Sequence, residues 1–71
     1  MPSKSQYAWK KVMTAKEVIK LLEQNGWIFV RQKGSHKQFK KNEIICTVPF
    51  PGEIKTGTLA SIKRTVALAE I

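Results

Sequence analysis

The stretch Trp27-Ile28-Phe29-Val30-Arg31-Gln32-Lys33, Gly34-Ser35, His36-Lys37-Gln38-Phe39-Lys40-Lys41, Asn42, Glu43 to Phe50 decides how this chain folds. Its first seven residues begin aromatic and β-branched and have no helical period, which predicts a strand. Gly34-Ser35 is a tight turn. His36–Lys41 predicts a second strand, with Phe39 as its single large apolar residue, and Asn42 turns the chain again. The segment Glu43–Phe50, rich in Ile, Val and Thr, predicts a third strand that Pro49, Pro51 and Gly52 bring to an end. Connections this short allow only an antiparallel meander.

Outward from the meander, each flank carries a helix. Thr14-Ala15-Lys16-Glu17 has the form of a capping box, with Glu17 three residues after Thr14. Ala15, Val18, Ile19 and Leu22 follow at helical spacing, and Asn25-Gly26 is a stop signal, so a helix is expected over 15–25. On the other side, Leu59, Ile62, Val66 and Ala69 form a narrow apolar stripe on a final helix that Thr56 or Thr58 can cap. The expected fold is α+β in the order α-β-β-β-α, with a three-stranded antiparallel sheet and two helices on one face. The other face of the sheet is then open. Residues 14–71 form one domain, and residues 1–13 are expected to be a flexible basic arm in which Tyr7 and Trp9 are possible anchors.

Length and composition narrow the function. A chain of 71 residues buries only about 60% of the surface its unfolded form exposes, which leaves room for one modest core and no deep catalytic cleft. One cysteine, Cys46, forbids an internal disulfide and suits a reducing compartment. One Cys and one His cannot build a structural zinc site. No apolar run approaches the ~20 residues of a membrane span, and the N-terminus lacks a secretory h-region, so a cytoplasmic location is expected. The glycine spacing from Gly52 to Thr58 resembles a phosphate-binding loop, but Thr58 stands where that loop needs a lysine.

The sign of the charge is the informative quantity. Thirteen Lys and Arg against five acidic residues give a net charge of +8, which favours a polyanionic partner. Residues 31–41 hold Arg31, Lys33, Lys37, Lys40 and Lys41 and no acid. Lysine on a solvated strand commonly serves only to protect a sheet edge. Five cations in so short a run exceed that need and favour contact with phosphates. Among them stands His36, the only histidine. An imidazole can exchange a proton near neutral pH, and RNA strand cleavage requires such a group at the ribose 2′-hydroxyl, with cations near the charged phosphorus. By spacing alone, a single His at a turn is more often a solvated bystander. Alternation along the strands places Arg31 with Lys33 and His36 with Gln38 and Lys40, and the second set points outward if Phe39 points to the helices.

Together these residues resemble a known family. Leu21-Leu22-Glu23-Gln24-Asn25-Gly26-Trp27, Val30 to His36, Thr47-Val48-Pro49 and Ile54 to Ile62, taken in order, look like the HicA (YcfA-like) mRNA interferase toxins, and the Arg31–His36 run is the specific part. The resemblance implies a fold similar to the double-stranded RNA-binding domain. It also implies a metal-independent endoribonuclease without cofactor that cleaves translated mRNA, and a cognate HicB-type antitoxin that holds it inactive. The family's catalytic histidine falls at His36. Many members carry a second histidine where this chain has Lys37. From the chemistry of the segment, Arg31, Lys33, Gly34, Ser35, Lys37 and Lys40 are the expected RNA-binding residues. Lys33 and Lys37 would supply cations to the phosphate, Gly34 would allow close approach and Ser35 would orient the histidine. The rival readings are a non-catalytic RNA-binding module of the same fold and a basic protein that docks on an acidic partner.

Overall fold

A computed structural model describes residues 7–70. The elements are β1 (Met13–Thr14), α1 (Ala15–Gln24), β2 (Ile28–Lys33), β3 (His36–Lys41), β4 (Ile44–Pro49), β5 (Glu53–Ile54) and α2 (Thr56–Ala69). The expected α-β-β-β-α order is present, with β2-β3-β4 forming an antiparallel three-stranded sheet.

Local chemistry explains the boundaries. At the start of α1 the Glu17 N–H donates to Thr14 Oγ1 at 3.2 Å and the Thr14 N–H donates back to Glu17 Oε1 at 2.8 Å, a complete capping box. Gly26, at φ +93°, turns the chain out of the helix. The β2–β3 turn has a positive φ at Gly34, and the β3–β4 turn has positive φ at both Asn42 and Glu43, the pair of left-handed residues that a two-residue hairpin turn favours. Glu43 therefore belongs to the turn, and the third strand starts at Ile44.

Helix α2 departs from expectation at its first residue. Neither Thr56 nor Thr58 caps it; Lys55 is the N-cap and contributes no side-chain hydrogen bond. The cause lies just upstream. Glu53 and Ile54 pair with Thr14 and Met13 in a second, two-stranded sheet, which holds the backbone extended up to Lys55 and leaves Thr56 inside the first turn.

The core lies between the helices and the inner face of the main sheet. Val18 and Leu22 from α1 meet Phe39, Cys46 and Val48 from the sheet, and Leu59, Ile62, Val66 and Ala69 from α2 complete it. Both helices lie over β4, and α1 also reaches β2. Strand β2 is the sheet edge farthest from α2, and all six of its residues are exposed.

Of the segment set apart as an arm, Tyr7, Trp9 and Met13 meet this core, and the residues between them are exposed. Met13 is buried in it, and Tyr7 and Trp9 pack against it with their rings stacked 5.4 Å apart. Trp27 Nε1 donates to the Tyr7 hydroxyl at 2.9 Å, and that hydroxyl donates to Glu70 at 3.2 Å. Residues 1–6 of the expected arm lie outside the described residues.

Candidate functional site

His36 is the first residue of β3 and sits directly opposite Lys33, across the Gly34-Ser35 turn. Two bonds hold that turn. Gln32 Nε2 donates to the Gly34 carbonyl at 3.0 Å, and the Phe50 N–H donates to the Ser35 carbonyl at 2.7 Å. Gly34 is required by its φ of +59° and not by crowding, since a Cβ there would meet nothing within 4 Å. The turn presents its backbone to solvent.

The strand register sorts the basic residues into faces. Phe39 is buried, so its inward side chain sends His36, Gln38 and Lys40 to the open face. Cross-strand partners share a face. The open face therefore has three rows: Lys33, His36 and Pro49; Arg31, Gln38 and Thr47; and Ile28, Lys40 and Ile45. Arg31 Nε donates to Gln38 Oε1 at 3.1 Å, which fixes the guanidinium two residues along from the imidazole. At the far end of the face Ile28, Val30 and Ile45 are exposed beside Lys40, with Ile28 at 67%. Lys40 also approaches Glu43 at 3.9 Å.

Strict alternation would put Phe29, Arg31 and Lys33 on one face. The ladder shifts between Phe29 and Arg31, with Val30 as the extra residue. Phe29 thereby stays opposite Phe39 on the inner face, its ring edge-on to the Phe39 ring at 5.6 Å, while Arg31 and Lys33 join His36. A bulge of this kind re-aims side chains next to functional sites.

Lys37 is not brought together with His36. It pairs with Gln32 and Val48 on the inner face, and its Nζ lies 4.1 Å from the centroid of the Phe50 ring and 6.0 Å from that of Phe29. Ser35 makes no side-chain hydrogen bond to His36 among the described residues. Cys46, a core residue, has its thiol pushed up to about 11 by burial. Among the described residues no group of three or more His, Cys, Asp or Glu is gathered in a way that could hold a metal ion. No helix among them is long and apolar enough to cross a membrane.

The open face thus combines one histidine with Lys33 and Arg31, and among the described residues no carboxylate forms an ion pair with either cation. Such a surface is suited to a phosphodiester backbone. A family model describing the HicA toxin of bacterial toxin–antitoxin systems matches residues 15–68. The chain belongs to the HicA toxin family. The match runs from the first residue of α1 almost to the end of α2, so the whole main sheet and its turn lie inside it. Membership in a toxin–antitoxin family carries with it the role of toxin and the existence of an antitoxin partner. No curated protein and no solved structure matches the chain. Tyr7, which stacks on Trp9 and donates to Glu70, lies with both of them outside the matched residues of this HicA chain.

Proposed function

We propose that this HicA-family protein is a metal-independent endoribonuclease, an mRNA interferase, with His36 as its general acid or base. The observation that carries the reading is the direct opposition of His36 and Lys33 on an exposed sheet face, with Arg31 fixed one row away. As base, His36 takes the proton of a ribose 2′-hydroxyl. The 2′-oxygen attacks the adjacent phosphorus, the bond to the 5′-oxygen breaks, and a 2′,3′-cyclic phosphate and a 5′-hydroxyl result. As acid, the imidazolium supplies the proton that the departing 5′-oxygen needs. Lys33 stands where charge builds on the equatorial oxygens, and stabilising that charge is commonly the largest contribution to such catalysis.

RNA binding falls to Arg31, Lys33 and Lys40 on the open face, to the backbone of Gly34 and Ser35 at the turn, and to Lys37 from across the β2 edge. The substrate is mRNA in the cytoplasm, and the inhibitor is a HicB-type antitoxin. A ribonuclease assay with the purified chain and its His36→Ala variant tests the reading. Cleavage by the first and none by the second is expected. RNA binding without cleavage by either would leave a non-catalytic binding module.

A further inference from the structure

We propose that the exposed ring of Phe29 is a stacking platform for an RNA base, so that a single-stranded substrate crosses the β2 edge from His36 on the open face to Phe29 and Lys37 on the inner one. The inference deepens the ribonuclease reading and rests on it. Phe29 faces the helix side of the sheet, yet it is 48% exposed, because β2 is the edge strand away from α2 and α1 covers it only in part. Of the Phe, Trp and Tyr side chains described, it is the most exposed; Trp27 and Phe39 are buried, and Tyr7, Trp9 and Phe50 are partly covered.

Three observations favour a base over other occupants. First, a cation that suits a phosphate lies beside the ring, with Lys37 Nζ 6.0 Å from its centroid, and Arg31 and Lys33 continue the basic track on the other face of the same edge strand. Proteins that hold single strands pair a basic track with aromatic rings in this way. Second, the Val30 bulge is what keeps Phe29 on the inner face while the cations turn to His36, so the strand serves both faces. Third, the exposed side of α1 carries both signs of charge, Lys16 and Lys20 with Glu17 and Glu23, and Glu17 is already paired with Lys10 at 2.7 Å. It suits a duplex less well than the acid-free β2–β3 hairpin suits a single strand. The chemistry points the same way: attack in line by a 2′-oxygen needs a backbone free to rotate, which an A-form duplex denies.

Binding of the wild-type protein and its Phe29→Leu and Phe29→Tyr variants to a short 2′-O-methyl oligouridylate tests this, because the blocked 2′-oxygen prevents cleavage. An abasic oligomer of equal length is the control. The expected result is a loss of about tenfold for Phe29→Leu on the oligouridylate, in line with one stacked base. Affinity for the abasic oligomer should stay unchanged, and Phe29→Tyr should bind like the wild type. Equal losses on both oligomers, or no loss on either, would overturn the platform and leave the ribonuclease reading standing. Failure of the wild type to bind either oligomer would overturn both.

Discussion

Arg31 donates a hydrogen bond to Gln38 across the β2–β3 hairpin, on the face that carries His36. The pair shows how a small domain reconciles two demands on one strand. Trp27 and Phe29 face the core side, and Arg31 and Lys33 face the open side with His36. Alternation with period two cannot satisfy both, and one unpaired residue, Val30, can. The site is therefore built by register and has no need of a cleft, which suits a chain too short to enclose one.

His36→Ala should abolish RNA cleavage and growth arrest while leaving the melting temperature nearly unchanged. The side chain is exposed at the head of β3, so its loss opens no cavity. One acid–base group typically contributes ~10²–10⁴-fold. Cleavage assays and a thermal melt on the same preparation check both halves, and full toxicity in a well-expressed variant would refute the role given to His36.

Affinity for single-stranded RNA should fall with salt at a log–log slope of roughly −3 if four cations meet phosphates, at about −0.7 per contact. Lys33→Gln should flatten the slope by about one contact and leave stability alone. Lys37→Gln should flatten it similarly and also lower stability by about 0.5–1 kcal/mol, because its ammonium lies over the Phe50 ring. Titrations at several salt concentrations, paired with denaturant melts, separate the two lysines. A salt-independent affinity would favour an acidic protein as the partner of this face.

The elements that sequence reading found were those with a period or a strong punctuation mark. The Leu59–Ala69 stripe is buried at each of its four positions, and Thr14, Gly26 and Gly34 stand where their conformations are needed. The pairing of Met13–Thr14 with Glu53–Ile54 escaped notice, because two residues are too few to show alternation. The Val30 bulge is invisible until the partner strand is placed. Lys37 is different. Its placement opposite His36 was legible from the burial of Phe39 two residues later, and grouping it with His36 mixed the two faces of one strand.

The capping box gives a test of the first helix. Thr14→Ala should destabilise the fold by ~1 kcal/mol. Glu17 is held below its ordinary value of 4.5, first by the Lys10 hydrogen bond at 2.7 Å and then by the Thr14 N–H. A carboxylate lowered in the folded state contributes stability above its ordinary value, and that contribution is lost as pH falls through the lowered folded value. Stability curves of the wild type and Glu17→Gln should therefore converge on acidification below pH 4.5. A constant gap between the curves throughout that range would show that the charge on Glu17 plays no part.

Cys46 should resist alkylation in the native protein and react once the chain is unfolded. Burial pushes its thiol up to about 11 from an ordinary 9.0, and the thiolate is the reactive form. A group raised in this way stabilises the fold below its ordinary value, and that support is lost as pH climbs from 9.0 towards about 11. Iodoacetamide labelling at neutral pH with and without urea, read by mass, checks the first point, and rapid native labelling would contradict it.

Inhibition by the antitoxin is expected to work by covering the open face. That face carries Arg31, Lys33 and His36 at one end and exposed Ile28, Val30 and Ile45 at the other. Acidic side chains of the partner can compete with phosphate at the first end, where charge sets association and specificity. Apolar side chains can bury the second end, and it is there that most of the binding free energy should concentrate. Complex formation should then slow amide exchange across residues 28–40, and RNA should fail to displace the antitoxin at moderate salt. Ile28→Lys should weaken the complex more than it weakens RNA binding, because it removes an apolar anchor and adds a cation that RNA tolerates. Protection confined to α1 and α2, with the β2–β3 hairpin exchanging freely, would mean that inhibition is indirect.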